Sequence, residues 1–274
     1  MVFTIKPYKI ILYLLIILIH TSCAFNKAFF DPVSYSRLLP DTVKYENWAL
    51  KSKSGKIINA RFFKTNNESR GTVFLLSGEN GDIADWYDVT SIMLNMGFDV
   101  FSFDYQGFGL SQGKATHENI FKDSQLFLDS LKKRPDVMEK DIVAWGFSVG
   151  ANLAIKLAYE NPGAFDYMIL EAAYTSQRKY VIKNAGFPAK LFAFPFAVSP
   201  YAADDLLPEI NNTPILFVHS VEDKIVPYWM GEKLYKTANN PKLFFEVLGQ
   251  HNFALIEFEK LYIESVEKLL LLNP

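Results

Sequence analysis

The stretch Gly146-Phe147-Ser148-Val149-Gly150 stands between an apolar run and a segment rich in Ala and Leu. The run before it, Ile142 to Trp145, is typical of a short buried strand in a parallel sheet. After it, small residues recur every four positions up to Ala158, which places them on one helix face that can approach a sheet closely. A Gly-x-Ser-x-Gly turn between a strand and a helix is a nucleophile elbow. We therefore predict that Ser148 is a nucleophile.

A serine hydroxyl becomes a good nucleophile only when a neighbouring base takes its proton. The chain has 4 histidines to supply that base. In enzymes with this elbow the chain order is serine, acid, histidine. His20 and His117 precede the serine, and His219 precedes the candidate acid Asp223. His251 is the histidine in the right place, and we predict that it is the base.

Two carboxylates are candidates for the acid that orients the histidine. Asp223 follows a predicted strand and begins an Asp-x-x-Val-Pro turn, which aims its carboxylate at the loop of His251. Glu171 also ends a predicted strand and could reach the same edge of the sheet. We favour Asp223, whose role would be to fix the imidazole tautomer and stabilise the imidazolium. Glu171 remains the alternative.

Attack on a carbonyl also requires donors for the negative oxygen that develops. One donor would be the backbone N–H of Val149, directly after the nucleophile. The second should come from the loop that follows an earlier strand, Thr72–Leu76. In that loop Gly78 permits a turn, and we predict that the N–H of Glu79 is the second donor.

Strand-like and helix-like segments alternate through most of the chain, after an early hairpin. Such alternation predicts a parallel sheet with helices on both faces, and its active site lies at the carboxyl ends of the strands. The predicted hairpin is Val43–Leu50 and Lys56–Phe63, and the later strands are Thr72–Leu76, Asp99–Phe103, Ile142–Trp145, Tyr167–Leu170, Ile215–His219 and Leu243–Leu248. The predicted helices are Ile83–Met96, His117–Arg134, Val149–Glu160, Tyr228–Thr237 and Ala254–Leu271.

The segment from about 174 to 208 breaks this alternation and is rich in aromatic residues and proline. We predict a short lid above the site. Its aromatic side chains would either line an acyl pocket or pack the lid onto the body.

These segments together resemble the α/β-hydrolase superfamily. The resemblance rests on the elbow, on Phe103 to Ser111 (FDYQGFGLS), on Glu171 to Ser176 (EAAYTS) and on the segment around Asp223. It implies an α/β-hydrolase fold over residues 41–274, with a mostly parallel eight-stranded sheet. The branch it is most similar to contains acyl-protein depalmitoylases and monoacylglycerol lipases. That family usually begins its oxyanion loop with His-Gly-Asn, whereas this chain has Ser-Gly-Glu at 77–79.

The N-terminus is predicted to be a separate unit. Lys6 and Lys9 precede an apolar run of ten residues, which is too short to span a bilayer and is typical of a signal peptide. Cys23 follows, as at a bacterial lipoprotein cleavage site, although His20 departs from that pattern. We predict a signal peptide over 1–22, lipidation at Cys23 and a tether over 23–40 that lies on the membrane or on the domain. An uncleaved anchor and ordinary cleavage are the alternatives.

The composition and charge of the chain limit the kinds of molecule that it is expected to bind. The formal net charge is −2 and no basic patch is present, so nucleic acid is not an expected partner. The single cysteine excludes disulfides within the domain, and the scattered histidines predict neither a metal site nor a cofactor. We expect an exported, membrane-attached serine hydrolase, on the periplasmic or outer face, that acts on a small ester or thioester, with an acyl lipid as one candidate substrate. A peptidase and a non-catalytic binding lipoprotein are the competing interpretations.

Overall fold

A computed structural model of the chain describes residue 26 and residues 29–33, 38–41, 43–184 and 199–272. Its centre is an 8-stranded sheet in the order β1-β2-β4-β3-β5-β6-β7-β8. The pairs β1–β2 and β2–β4 are antiparallel, and every other pair is parallel. The predicted fold class is therefore confirmed. The strands are β1 Tyr45–Lys51, β2 Ile57–Phe63, β3 Thr72–Leu76, β4 Asp99–Phe103, β5 Ile142–Phe147, β6 Tyr167–Glu171, β7 Ile215–Ser220 and β8 Lys242–Val247.

Helices cover both faces of this sheet. Those that the structure describes are α1 Tyr87–Asn95, α2 His117–Leu131, α3 Val149–Glu160, α4 Gln177–Asn184, α5 Ala203–Leu206, α6 Tyr228–Thr237, α7 Ala254–Glu257 and α8 Glu259–Leu270, with a 3₁₀ turn at Leu207–Glu209.

Two predicted helices differ from the observed ones in where they begin or break, and a third, His117–Arg134, ends earlier, at Leu131. The first begins at Tyr87 rather than Ile83, and the residues before it form a turn in which the Asp82 carboxylate accepts the N–H groups of Ala84 and Asp85. The last one breaks at Phe258, which has φ −123° and ψ 32°. The half-buried ring of Phe258 packs against the core at this break.

The central strands are buried on both sides, which explains why their sequences are nearly continuous apolar runs. In β5, Ala144 belongs to the cluster under α2 and α3, whereas Trp145 belongs to the cluster under α1 and α8. The two clusters sandwich the sheet. Because β3, β5, β6, β7 and β8 run parallel, the loops that follow them open at one edge.

The predicted lid and N-terminal segment are described only in part. Residues 185–198 of the lid, with all of its phenylalanines, lie outside the described residues, as do the predicted signal peptide and Cys23. Within the predicted tether, Phe29 and Phe30 are each only 4% exposed and join the core, so this part of it lies on the domain. None of the described helices has both the length and the apolar character needed to cross a membrane.

Candidate active site

Ser148 occupies a strained turn between β5 and α3. Its φ of 53° and ψ of −114° lie in a region of backbone conformation that residues other than glycine rarely adopt. A Cβ at Gly146 would lie 2.5 Å from the carbonyl oxygen of Gly150, and one at Gly150 would lie 2.0 Å from that of Leu76. Close backbone approach therefore requires both glycines. The turn has the geometry of a nucleophile elbow.

Asp223 and His251 are hydrogen-bonded to each other. The distance from Asp223 Oδ2 to His251 Nδ1 is 2.6 Å, and Oδ1 accepts the N–H groups of Ile225 and Val226 at 2.8 Å each. Burial alone would raise the pKa of Asp223, but the hydrogen bond and charge of His251, with these N–H groups, lower it below its ordinary value. An ionised carboxylate only accepts, so His251 Nδ1 carries a proton.

This pairing leaves the other ring nitrogen of His251 available as an acceptor when the ring is neutral. The side chain is 7% exposed. Its Nε2 is buried and has no hydrogen-bond partner in the part of the chain that the structure describes. An unpartnered buried acceptor is unusual and indicates a functional position.

His219 lies beside the same carboxylate but is engaged elsewhere. Its Nε2 is 2.9 Å from the carbonyl oxygen of Val226 and 3.8 Å from Asp223 Oδ2. Burial lowers its pKa. His219 is therefore a neutral structural residue that supports the turn of Asp223.

Glu171 bridges the elbow and the loop of His251. Its carbonyl oxygen accepts the N–H of Ser148 at 2.8 Å, and its Oε1 accepts the N–H of Ala254 at 3.0 Å. Burial raises the pKa of its carboxyl to about 7. Of the two candidate acids, Asp223 is the one that pairs with His251, and Glu171 ties the neighbouring backbones together. The sequence did not reveal this bridge.

The two predicted oxyanion donors lie on segments that meet. Val149 begins α3, and the first N–H groups of a helix have no partner within it. The loop that contains Glu79 passes close by, since a Cβ at Gly150 would lie 2.4 Å from the carbonyl oxygen of Ser77. Tyr105 Oη donates to the same carbonyl at 2.9 Å. A Cβ at Gly78 would lie 3.2 Å from Nδ2 of Asn252, which directly follows His251. The loop thus lies between the elbow and the histidine loop.

A pocket of about 1030 Å³ opens at this edge of the sheet, and both Glu79 and His251 line it. One wall comes from residues 29–33, which we name the N-terminal strap. The N–H of Asp31 donates to the carbonyl of Glu79 at 3.1 Å, and the carbonyl of Val33 accepts the N–H of Gly109 at 2.7 Å. The strap was missed as part of the site, although its Phe-Phe pair is a signal of burial.

Aromatic contacts anchor the strap. The ring centroid of Phe29 lies 4.7 Å from that of His117 and 5.1 Å from that of Tyr180, and that of Phe30 lies 5.0 Å from His117. Burial lowers the pKa of His117 to about 3, so this ring is neutral. His117 supports the strap and is not part of the candidate catalytic group. Among the described residues, no group of three or more His, Cys, Asp or Glu side chains is placed to hold a metal ion.

Sequence comparison gives relatives over most of the chain. Residues 67–203 match the family described as serine aminopeptidase, S33. The α/β hydrolase domain-containing protein WAV2 of Arabidopsis thaliana is 32% identical over an alignment of 229 residues, which covers 78% of this chain and 73% of that protein. The uncharacterized membrane protein YNL320W of Saccharomyces cerevisiae is 28% identical over 222 residues, 79% of this chain and 72% of that protein.

Solved structures share the fold. The esterase Pf2001 of Pyrococcus furiosus superposes with a TM-score of 0.71 at 18% identity and covers 88% of this chain and 98% of its own. Acetyl xylan esterase 1 of Thermoanaerobacterium sp. gives a TM-score of 0.65 at 16% identity over 92% of this chain and 93% of its own. With the family match and the Arabidopsis relative, the conclusion is that this chain belongs to the serine aminopeptidase S33 family of α/β hydrolases.

Proposed function

We propose that this member of a hydrolase family is a serine hydrolase that cleaves carboxylic ester or thioester bonds through an acyl-enzyme. The observation that carries the proposal is the pairing of Asp223 with His251 at 2.6 Å, which leaves His251 Nε2 buried and unpartnered among the described residues. The strained elbow at Ser148 opens at the same edge of the sheet. This is the set of groups that nucleophilic acyl transfer needs.

In this mechanism Ser148 Oγ attacks the substrate carbonyl while its proton passes to His251 Nε2. The ionised Asp223 stabilises the imidazolium that forms. The backbone N–H groups of Glu79 and Val149 bind the negative oxygen of the tetrahedral intermediate. Collapse expels the alcohol or thiol, which takes the proton from His251. Water then attacks the acyl-enzyme with the same base, and this step restores Ser148 and releases the acid.

A lipid-derived acyl group is the substrate that we favour. The resemblance to depalmitoylases and monoacylglycerol lipases supports it, as do the apolar residues along the pocket, which include Trp86, Val89, Phe253 and Ile256. The names of the structural neighbours Pf2001 and acetyl xylan esterase 1 agree with ester cleavage in general.

A fluorophosphonate probe tests the mechanism, because it bonds only to an activated serine. We expect labelling of Ser148, seen by peptide mass spectrometry, and no labelling of the Ser148→Ala variant. Turnover of p-nitrophenyl esters over a series of acyl lengths then measures the preferred chain. An unlabelled wild-type protein that hydrolyses none of these esters would support the non-catalytic alternative.

A peptidase is the second candidate, because the matching family carries the description serine aminopeptidase. The same triad would serve both reactions. Aminoacyl and peptidyl amide substrates, assayed beside esters of the same acyl group, distinguish the two. Amide turnover comparable to ester turnover would favour the peptidase.

The N-terminus is proposed to attach the enzyme to a membrane through a lipid at Cys23. The support is the charged and apolar pattern before this cysteine, together with the name of the yeast relative as a membrane protein. Intact-mass measurement of protein extracted from membranes tests the idea. A mature chain that retains residues 1–22 would exclude lipoprotein processing.

A further inference from the structure

Four exposed apolar side chains lie around the mouth of the pocket. They are between 39% and 59% exposed, and we name them the apolar rim: Val221, Leu248, Phe253 and Ile256. Val221 directly follows β7 and Leu248 directly follows β8, and the N–H of Val221 donates to the carbonyl of Val247 at 3.0 Å. Two rim residues line the pocket itself, and each of the other two directly precedes a residue that does.

A substrate in the pocket would leave part of the rim exposed. Phe253 and Ile256 line the pocket, whereas Val221 and Leu248 are not among the residues that line it. Single exposed apolar side chains are common on protein surfaces, but a cluster of them beside a site marks a surface that meets an apolar partner. The rim therefore indicates a partner that extends beyond the pocket.

The path of the N-terminal chain indicates which partner this is. Asp31 and Val33 of the strap line the same pocket. The strap follows Asn26 within one turn, because the N–H of Phe30 donates to the carbonyl of Asn26 at 3.0 Å. Cys23 is three residues before Asn26, so the chain between them spans at most about 11 Å. An attachment to the membrane at Cys23 would therefore hold this edge of the sheet close to a bilayer.

The charges beside the rim favour a bilayer without net negative charge. The exposed charged side chains of residues 221–225 and 248–257 are Glu222, Lys224 and Glu257, so negative charge is in excess there. Anionic headgroups attract basic segments and would be repelled by this surface. A zwitterionic bilayer accepts exposed apolar side chains into its interface without that repulsion.

We propose that the apolar rim docks on a zwitterionic lipid bilayer and holds the mouth of the pocket against the membrane surface. An acyl lipid would then enter the pocket from the bilayer, and its acyl chain would not have to cross water. The inference deepens the proposed function and rests on it, because it states how a lipid-derived substrate reaches the same site.

Fluorescence quenching tests where the rim lies relative to the bilayer. The full chain, extracted from membranes, is placed in vesicles of phosphatidylcholine with brominated acyl chains, which quench tryptophans that lie among them. The fluorescence of the wild-type protein is subtracted, so that only the introduced tryptophan is followed. We expect quenching of Leu248→Trp, because this side chain would enter the bilayer.

The matched control for quenching is Met138→Trp. Met138 is 67% exposed and precedes the start of β5, so it lies at the edge of the sheet opposite Ser148. Its introduced tryptophan should keep its fluorescence in the same vesicles. Equal quenching of the two variants, or quenching of neither, would overturn the docking of the rim.

Kinetics tests whether docking supplies the substrate. The double variant Val221→Glu, Leu248→Glu changes no residue that lines the pocket, so its kcat/KM for a soluble short-chain ester should equal that of the wild-type protein. Its rate on a long-chain ester carried in phosphatidylcholine vesicles should fall about tenfold, because charged side chains no longer enter the bilayer. Met138→Glu should leave both rates unchanged. An unchanged vesicle rate in the double variant would overturn a role of the rim in substrate entry.

The remaining outcomes separate this inference from the function on which it rests. Quenching of Leu248→Trp only in vesicles of anionic lipid would overturn the assignment to a zwitterionic surface. Self-association of the wild-type protein in detergent, lost in the double variant, would assign the rim to a contact between copies of this chain. The absence of both ester hydrolysis and fluorophosphonate labelling of Ser148 would overturn the proposed function and, with it, the role in substrate entry. Quenching requires no turnover, so a failure of docking is seen separately.

Discussion

The elbow and the N-terminal strap lie at the same edge of the sheet but are specified in different ways. The elbow comes from one segment, in which strand, turn and helix follow each other from Ile142 to Glu160. The strap acts through residues far along the chain, since it contacts Glu79, Gly109 and His117. Each candidate catalytic residue is therefore specified by the local sequence around it. The pocket wall depends instead on contacts between segments that are far apart in the chain.

The pairing of Asp223 with His251 provides the test with the largest expected effect on the candidate catalytic residues. Asp223→Asn should lower kcat about 10⁴-fold, because the amide no longer holds the imidazole in the required tautomer. Glu171→Gln should lower it less than about tenfold, since Glu171 contacts the backbone near His251 rather than its ring. Steady-state kinetics of both variants gives the comparison. The reverse order of effects would transfer the acid role to Glu171.

The packing of the elbow against β3 is tested through stability. Gly150→Ala should lower the free energy of unfolding by about 3 kcal/mol, because the added methyl would lie 2.0 Å from the carbonyl oxygen of Leu76. Urea denaturation followed by circular dichroism measures it. Ser91→Ala, on the half-buried side of α1, is the control and should stay within about 0.5 kcal/mol. A Gly150→Ala protein of wild-type stability would contradict the close approach.

The sequence predicted the candidate catalytic residues better than the contacts around them, for a physical reason. The start of α3 at Val149 and the pairing of Asp223 with His251 follow from local patterns and from the chain order of such sites. The break at Phe258 and the bridge made by Glu171 depend on what these residues meet in the folded chain. No periodicity in the sequence encodes such contacts. A prediction from the sequence alone therefore extends the last helix through Phe258 and overlooks the bridge made by Glu171.

The anchoring of the strap is tested by removing its rings. The double variant Phe29→Ala, Phe30→Ala should lower kcat/KM about tenfold, because a loosened strap no longer holds the carbonyl of Glu79 through Asp31. Leu38→Ala is the matched control, since Leu38 lies in the same N-terminal region and is 97% exposed. Ester kinetics and melting temperature are measured together. An unchanged kcat/KM in the double variant would show that the strap covers the protein surface without positioning the loop of Glu79.

The smallest effect concerns the ring on which the strap rests. Burial lowers the pKa of His117 from an ordinary 6.5 to about 3, so the folded protein resists protonation that the unfolded chain accepts. The unfolded state therefore binds more protons below pH 6.5, and stability falls as the pH falls toward 3. Between pH 6.5 and 5.5 this group should contribute a loss of about 1 kcal/mol. His117→Gln removes the titrating group, so its stability should fall less over the same interval than that of the wild-type protein. Urea unfolding at both pH values gives the difference, and parallel curves for the two proteins would mean that His117 is accessible to protons in the folded state. Because the ring lies against both Phe29 and Phe30, such a result would also place the strap among the loosely held parts of the molecule.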